Sequence, residues 1–320
     1  EDTVRIVFMG TPEFALPALE KLVENRYEIS AVVTQPDRPA GRGRALAPSP
    51  VKVFAVAHQL PVLQPESLKT PGIDQKLRTL RPEVIVVAAF GQLLPRSVLE
   101  IPPLGCINIH PSLLPKYRGP SPVAGAILAG ESVTGVTIML MDEGWDTGPI
   151  LAQRNVPILP DDTTGSLERK LAQVGAELLI DTLPRWASGE VKPQPQNHAE
   201  ATYTKPISKE DGRIDWQLPA EDLARRCRAF SPWPGCFTQF GGKTLKILKS
   251  RPYPQWTGQD TPGHVVEIEM PEGARRQKAV GVVTGQGALL LLEVQLEGGK
   301  AMPIEQFVRG QRQFLGSRLQ

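Results

Sequence analysis

The sequence predicts an α/β fold: an open, doubly wound, mostly parallel sheet followed by a small C-terminal β domain. Three observations carry this expectation. Apolar runs alternate with helix-spaced stretches over the first half of the 320 residues. A polar, Pro-rich stretch interrupts the pattern near residue 190, and short strand-like runs separated by glycine turns fill the remainder.

The elements follow in order. Val4–Met9, Ile29–Thr34, Val84–Phe90, Cys106–Ile109 and Val136–Met141 are continuous apolar runs, as expected for strands buried on both faces. Between them, Glu13–Asn25, Ser49–Gln59, Ile73–Leu80 and Pro122–Ala129 carry helix-spaced apolar positions, several with Pro near the start. Thr164–Ser188 reads as a long amphipathic helix, with Leu167, Leu171, Val174, Leu178 and Leu179 on one face. Val191-Lys-Pro-Gln-Pro-Gln-Asn-His198 reads as a linker crossing a surface. Beyond it come a helix over Ala220–Phe230 and strands over Cys236–Phe240, Thr244–Lys249, Val265–Ile268, Ala279–Thr284 and Leu289–Leu296. Short strands of this number suggest a small barrel or sandwich, an OB-type barrel being one candidate. The expected domains are 1–189 and 207–320, with 190–206 between them.

Composition narrows the function classes. Net charge is +2, with 41% hydrophobic and 22% charged residues, which excludes wholesale disorder. The longest clearly apolar run, Val84 to Phe90, is far short of the ~20 residues a membrane helix needs. The acidic Glu1-Asp2-Thr3 start lacks the basic region of a secretory signal. Cys106, Cys227 and Cys236 form an odd set, consistent with a reducing cytosol, so a cytoplasmic location is expected. The histidines show no Cys/His ligand spacing, and no metal site is expected. Charge divides at the same boundary: residues 1–206 carry net −2, residues 207–320 net +4. Nine of the 18 aromatic residues also lie in the latter segment. A basic, aromatic-bearing β domain is a candidate nucleic-acid surface, although Trp and Phe also fill small barrel cores.

Four segments carry candidate chemistry. Gly10-Thr11-Pro12 makes a strand-to-helix turn whose N–H groups suit an anion, but neither the dinucleotide nor the P-loop fingerprint is present. Thr34-Gln-Pro-Asp-Arg38-Pro-Ala-Gly-Arg42-Gly-Arg44 is a basic, glycine-bearing loop at a strand end, suited to a polyanion. In Cys106-Ile-Asn108-Ile-His110, the last two polar side chains share one strand face. An amide donor beside an imidazole can stabilise an oxyanion and move a proton. Asp142-Glu-Gly-Trp-Asp146-Thr-Gly148 offers two carboxylates to orient His110 or take a proton from an amine. Asn, His and Asp are thus expected at C-terminal ends of successive strands, where doubly wound folds place their sites. Group transfer through a tetrahedral oxyanion is the reaction class these residues suit.

Asn108-x-His110, Ser112-Leu-Leu-Pro115 and Asp142-x-Gly144-x-Asp146-Thr-Gly148 together resemble the folate-dependent formyltransferase family. The resemblance extends over the whole chain. It implies a Rossmann-like sheet with an OB-like C-terminal domain, and 10-formyltetrahydrofolate as formyl donor without a metal. Within the family, the Thr34–Arg44 loop, Ser49-Pro-Val-Lys52, Ile214-Asp-Trp216 and Ser231-Pro-Trp-Pro234 look like those of members acting on initiator methionyl-tRNA in translation initiation. The resemblance implies that Asn108 and His110 stabilise the oxyanion and that Asp146 assists proton removal and orients His110. It implies a folate pocket bordered by Phe90, Gly91, Gln92, Leu93, Leu94, Ser112, Leu113, Leu114, Pro115 and Asp142. Arg38, Arg42 and Arg44 would meet the acceptor end of the tRNA, and the enzyme would act as a monomer. The competing readings are a sugar-nucleotide formyltransferase, a formyltetrahydrofolate hydrolase module, and an RNA-binding protein on an inactive scaffold. The basic loop speaks against the first two and the intact Asn–His–Asp set against the third.

Overall fold

A computed structural model describes residues 3–271 and 277–320. The Glu1-Asp2 start lies outside the described residues. The chain divides into two compact units, the first comprising residues 1–122, 132–158 and 167–205, the second 123–131, 159–166 and 206–320.

In chain order the first part runs β1 (Arg5–Gly10), α1 (Leu16–Glu24), β2 (Glu28–Val33), β3 (Arg38–Ala40), β4 (Ala45–Ala47), α2 (Pro50–Ala57), β5 (Val62–Leu63), α3 (Ile73–Thr79), β6 (Val84–Ala88), α4 (Arg96–Leu99), β7 (Cys106–His110), α5 (Pro122–Leu128), β8 (Val133–Leu140), β9 (Ile150–Pro157) and α6 (Thr164–Ala187). Seven strands form one sheet in the order β5-β2-β1-β6-β7-β8-β9. The pairs from β5 to β7 are parallel, whereas the β7–β8 and β8–β9 pairs are antiparallel. The mostly parallel α/β sheet expected from the sequence is therefore present.

Burial explains its order. Strand β6 is buried at every position, as a central parallel strand with both faces covered must be. Val7 and Met9 of β1, Val33 of β2 and Ile85 and Val87 of β6 share one core with Leu77 of α3 and Val98 of α4. Helix α6 buries Leu167, Leu171, Leu178 and Leu179, while Val174 is half-buried. Its Gly175 lies so close to Ile109 and Val136 that an added Cβ would crowd both. The odd-numbered face of β7 thus packs on α6, and Asn108 and His110 point from the other face.

Two differences from expectation bear on the site. Strand β9 has no continuous apolar run because it is an edge strand whose burial alternates, so a search for continuous runs passes over it. The basic Thr34–Arg44 loop contains a hairpin, with Arg38 opposite Ala47 and Ala40 opposite Ala45. Its residues 38–46 are all exposed.

The second unit contains α7 (Ala220–Ala229), β10 (Cys236–Phe240), β11 (Lys243–Tyr253), β12 (Val265–Met270), β13 (Gln277–Val283), β14 (Ala288–Leu296), β15 (Met302–Pro303) and α8 (Ile304–Gly310). Its antiparallel sheet has the order β10-β11-β14-β13-β12, with β15 added to β14. The expected small C-terminal β domain is present. Phe240, Phe307 and Phe314 pack edge to face at 5.0–6.2 Å, and the Trp216 indole donates to Thr238 Oγ1 at 3.0 Å. Much of the aromatic content of this segment therefore fills its core, while Trp233 remains exposed.

Candidate active site

The site is built on β7. Val87 of β6 lies opposite Asn108, and on the other side Asn108 faces Met139 and His110 faces Thr137 of β8. Paired residues of an antiparallel ladder share a face, so these four side chains lie together. His110 is buried, whereas Asn108 is half-buried and its amide has no hydrogen bond among the described residues. A half-open amide with spare donors is available to a ligand oxygen.

Asp146 reaches His110 by another route than the sequence suggests. Because β8 is antiparallel, its C-terminal end lies beside the start of β7, with Leu140 opposite Ile107 and the Met141 N–H donating to the Cys106 carbonyl. The expectation that Asn, His and Asp leave successive C-terminal strand ends is therefore corrected. The loop after β8 folds back along the sheet face and brings Asp146 Oδ1 to 3.7 Å from His110 Nδ1. Gly148 makes this return possible, since any Cβ there would collide with the Leu140 carbonyl. Asp142 does not meet His110; its Oδ1 accepts from the Gly144 N–H at 3.0 Å and the Thr147 hydroxyl at 2.6 Å, closing the turn.

The other ring nitrogen of His110, Nε2, lies 3.0 Å from the Tyr117 carbonyl. Gly119, two residues on, donates its N–H to Asp146 Oδ2 at 2.8 Å. Its φ of +102° and its close approach to Thr204 both require glycine. The segment after β7 thus contacts both members of the His–Asp pair.

Between His110 and Tyr117 the chain is pinned from below. Thr137 Oγ1 donates to the Ser112 carbonyl at 2.7 Å, and accepts from the Leu114 N–H and from Gln153 Nε2. Ser112 is fully buried and donates its hydroxyl to the Lys116 carbonyl at 2.6 Å. Leu114 is buried as well, which leaves Leu113 and Pro115 as the half-buried members of this group. After β6, Phe90 and Leu94 are buried, while Gly91 and Leu93 are exposed. Gln92 spends its side chain on the backbone of Leu68 and Glu66. An open depression of about 560 Å³ is lined by Arg96, Leu99, Glu100, Met141, Asp142, Glu143 and Gly144.

The basic hairpin is anchored at its base. Asp37 accepts from Lys52 Nζ at 3.0 Å and from Gln64 Nε2 at 2.8 Å, and these bonds hold its carboxyl below the usual carboxylate range. Ser49 caps α2 by accepting from the Lys52 N–H. Since Asp37 is committed to Lys52 and Gln64, it does not neutralise Arg38, Arg42 or Arg44, all exposed.

Sequence reasoning missed Gln196, Arg118, Thr137 and Gln153. Gln194 pairs with Ile150, and residues 190–205 group with the first unit. From this segment Gln196 reaches the Asp146 loop, a contact that no local pattern announces. A polar residue within the apolar β8 was the signal that marked Thr137.

The family described as formyl transferase matches residues 4–183, and the formyl transferase C-terminal domain matches residues 206–312. The methionyl-tRNA formyltransferase of Chloroflexus aurantiacus is 55% identical over 292 residues, covering 91% of this chain and 92% of that protein. That of Roseiflexus castenholzii is 50% identical over 318 residues, covering 99% of each. Among solved structures, HypX from Aquifex aeolicus in complex with tetrahydrofolic acid superposes with a TM-score of 0.64 at 20% identity, covering 98% of this chain and 48% of that one. An N-formyltransferase from Helicobacter canadensis, in complex with folinic acid and dTDP-3-aminofucose, gives 0.64 at 19% identity, covering 90% and 99%. At these identities the structural likeness speaks to the fold alone.

Proposed function

The chain belongs to the formyl transferase family, among the methionyl-tRNA formyltransferases, and from that premise we propose that it transfers the formyl group of 10-formyltetrahydrofolate to the α-amino group of initiator methionyl-tRNA. The observation that carries the reading is the meeting of Asn108, His110 and Asp146 on one face of β7. The reaction joins the amine nitrogen to the formyl carbon, breaks the bond from that carbon to N10 of the folate, and moves the ammonium proton to N10. An α-amine titrates near pH 7.7–8.0, so roughly a tenth to a sixth of it is neutral and nucleophilic at pH 7 without a strong base.

The residues then divide the work. Asn108 donates its unused amide hydrogens to the formyl oxygen as charge develops there. The Tyr117 carbonyl can only accept, so His110 Nε2 donates to it, and the Asp146 carboxylate faces Nδ1 of the same ring. Asp146 holds it and accepts the proton leaving the amine. Leu93, Leu113, Pro115 and Asp142 would border the folate, Asp142 together with Leu99 and Met141 lining the open depression of about 560 Å³. Gly91 and Gln92 would complete that border, while the buried Phe90, Leu94, Ser112 and Leu114 support it from within. We assign catalysis to residues 1–189 and tRNA contact to the basic hairpin and residues 207–320, acting as a monomer in the cytosol.

The test is incubation of the chain with 10-formyltetrahydrofolate and either initiator or elongator methionyl-tRNA, following formyl-methionine. Rapid transfer selective for the initiator is expected. No transfer to either tRNA, with folate still bound, would overturn the reading and direct attention to amino-sugar nucleotides.

A further inference from the structure

We infer that Gln196 is a positioning residue for the transfer, clamping the turn that aims Asp146 at His110. The inference rests on the formyl-transfer reading and names a residue outside the Asn–His–Asp set.

Two backbone stretches touch His110 and its partner, and both are held in a conformation that L residues avoid. Tyr117, whose carbonyl faces His110 Nε2, has φ +58°, and Asp146 has φ +55°. Non-glycine residues occupy this left-handed region only when the surroundings over-determine it. The segment around Gln196 supplies that determination. Gln196 Nε2 donates to the Asp146 carbonyl at 2.9 Å and to the Gly148 carbonyl at 2.7 Å. Its Oε1 accepts from Arg118 Nε at 3.2 Å and Nη2 at 2.8 Å. Both side chains are buried, Gln196 at 5% exposure and Arg118 at 2%.

The chemistry at this point requires a primary amide. The two carbonyls can only accept, and the guanidinium can only donate. Glutamate would serve Arg118 but not the carbonyls, and lysine the reverse; asparagine has a shorter reach. One glutamine side chain therefore ties Arg118, flanked by Tyr117 and Gly119, to the backbone of Asp146. The same strap repeats the function nearby. Thr202 accepts from the Tyr117 N–H with its hydroxyl and from the Arg118 N–H with its carbonyl, and Thr204 donates its N–H to the Arg118 carbonyl. Residues 196–204 thus hold both strained residues in the register that sets the His110–Asp146 separation.

The experiment compares wild type, Gln196→Glu and Gln196→Met with 10-formyltetrahydrofolate and initiator methionyl-tRNA, each alone and combined with Asp146→Asn. Thermal unfolding and folate binding report whether the variants fold. Gln196→Glu keeps the Arg118 pairing, while Gln196→Met keeps the volume. If Gln196 acts through Asp146, kcat falls by on the order of tenfold or more in both variants. KM for either substrate then changes little, and the loss shrinks to about twofold or less when Asp146 is already Asn. An unchanged kcat, a loss confined to KM, or an equal loss in the Asp146→Asn background overturns the proposal. So does failure of both variants to fold, which would make Gln196 part of the scaffold. Absence of transfer by wild type would instead sink the parent reading, so the two failures are distinguishable.

Discussion

His110 Nδ1 and Asp146 Oδ1 stand 3.7 Å apart although β7, which ends at His110, runs opposite to β8, whose following loop carries Asp146. The separation is an ion-pair distance, longer than a hydrogen bond. What fixes it is the backbone around it: the Gly119 N–H holds the other carboxylate oxygen, and the Tyr117 carbonyl holds the opposite edge of the imidazole. The carboxylate side chain is only 12% exposed, so little water screens the pair. The strand ladder alone would leave Asp146 far from His110; a folded-back loop and a tight glycine bring them together.

Asn108 is the simplest of the three residues to test. Its amide has no intramolecular hydrogen bond among the described residues, so its removal leaves no protein group unpaired. Asn108→Ala should lower kcat by about 100-fold or more, the effect of deleting one oxyanion donor. The unfolding temperature should stay near that of wild type. A variant retaining most of its turnover would remove Asn108 from the mechanism.

This contrast between residue and route shows what was legible beforehand. Asn108 and His110 were readable because a strand repeats every second residue, and the ladder register of β7 keeps that rule. Asp146 was readable as a residue but not as a path. The antiparallel turn at β8 depends on which strand it pairs with, and β9, which would have signalled it, is an alternating edge strand. The hairpin within the basic loop was not legible because Arg-Pro-Ala and Ala-Leu-Ala lack the β-branched and aromatic residues that mark strands. Gln196 was invisible for another reason. Its partners lie far away in sequence, and only the closed structure shows that one amide satisfies two carbonyls and a guanidinium.

The hairpin yields a prediction that separates the two substrates. Arg42 is exposed, and its substitution breaks no ion pair found among the described residues. Arg42→Leu should weaken transfer to tRNA while leaving folate affinity unchanged. Wild-type tRNA affinity should fall steeply with added salt, and the variant's log–log salt slope should be shallower by about one unit. Equal losses toward both substrates, checked by folate titration beside tRNA binding, would make the loop structural.

The cysteines give a prediction independent of activity. Burial pushes the Cys106 thiol up to about 12, so at pH 8 it stays protonated. Cys236 is raised as well, by its hydrogen bond with Cys227 and by burial, whereas the same bond lowers Cys227, which burial alone keeps from reagents. All three cysteines are free and buried. Ellman's reagent at pH 8 should therefore find no fast-reacting thiol in the native chain and all three thiols in guanidinium. Rapid stoichiometric reaction of the folded protein would contradict this packing.

Thr137 tests whether the loop below the site is held by hydrogen bonding or by shape. Its hydroxyl donates to the Ser112 carbonyl and accepts from the Leu114 N–H, both within a buried region, and also accepts from Nε2 of the exposed Gln153. Valine matches threonine in volume but offers no polar atom, so Thr137→Val leaves the Ser112 carbonyl and the Leu114 N–H without this partner. Leaving such groups unsatisfied costs about 1–3 kcal/mol, a large share of the margin by which a domain is folded. Urea titration should register that loss for Thr137→Val. Thr137→Ser keeps the hydroxyl and gives up only a methyl group, so it should recover most of the stability. If valine were as stable as wild type while serine lost stability, the contribution of Thr137 would lie in its methyl packing, and Ser112 to Pro115 would be held by shape.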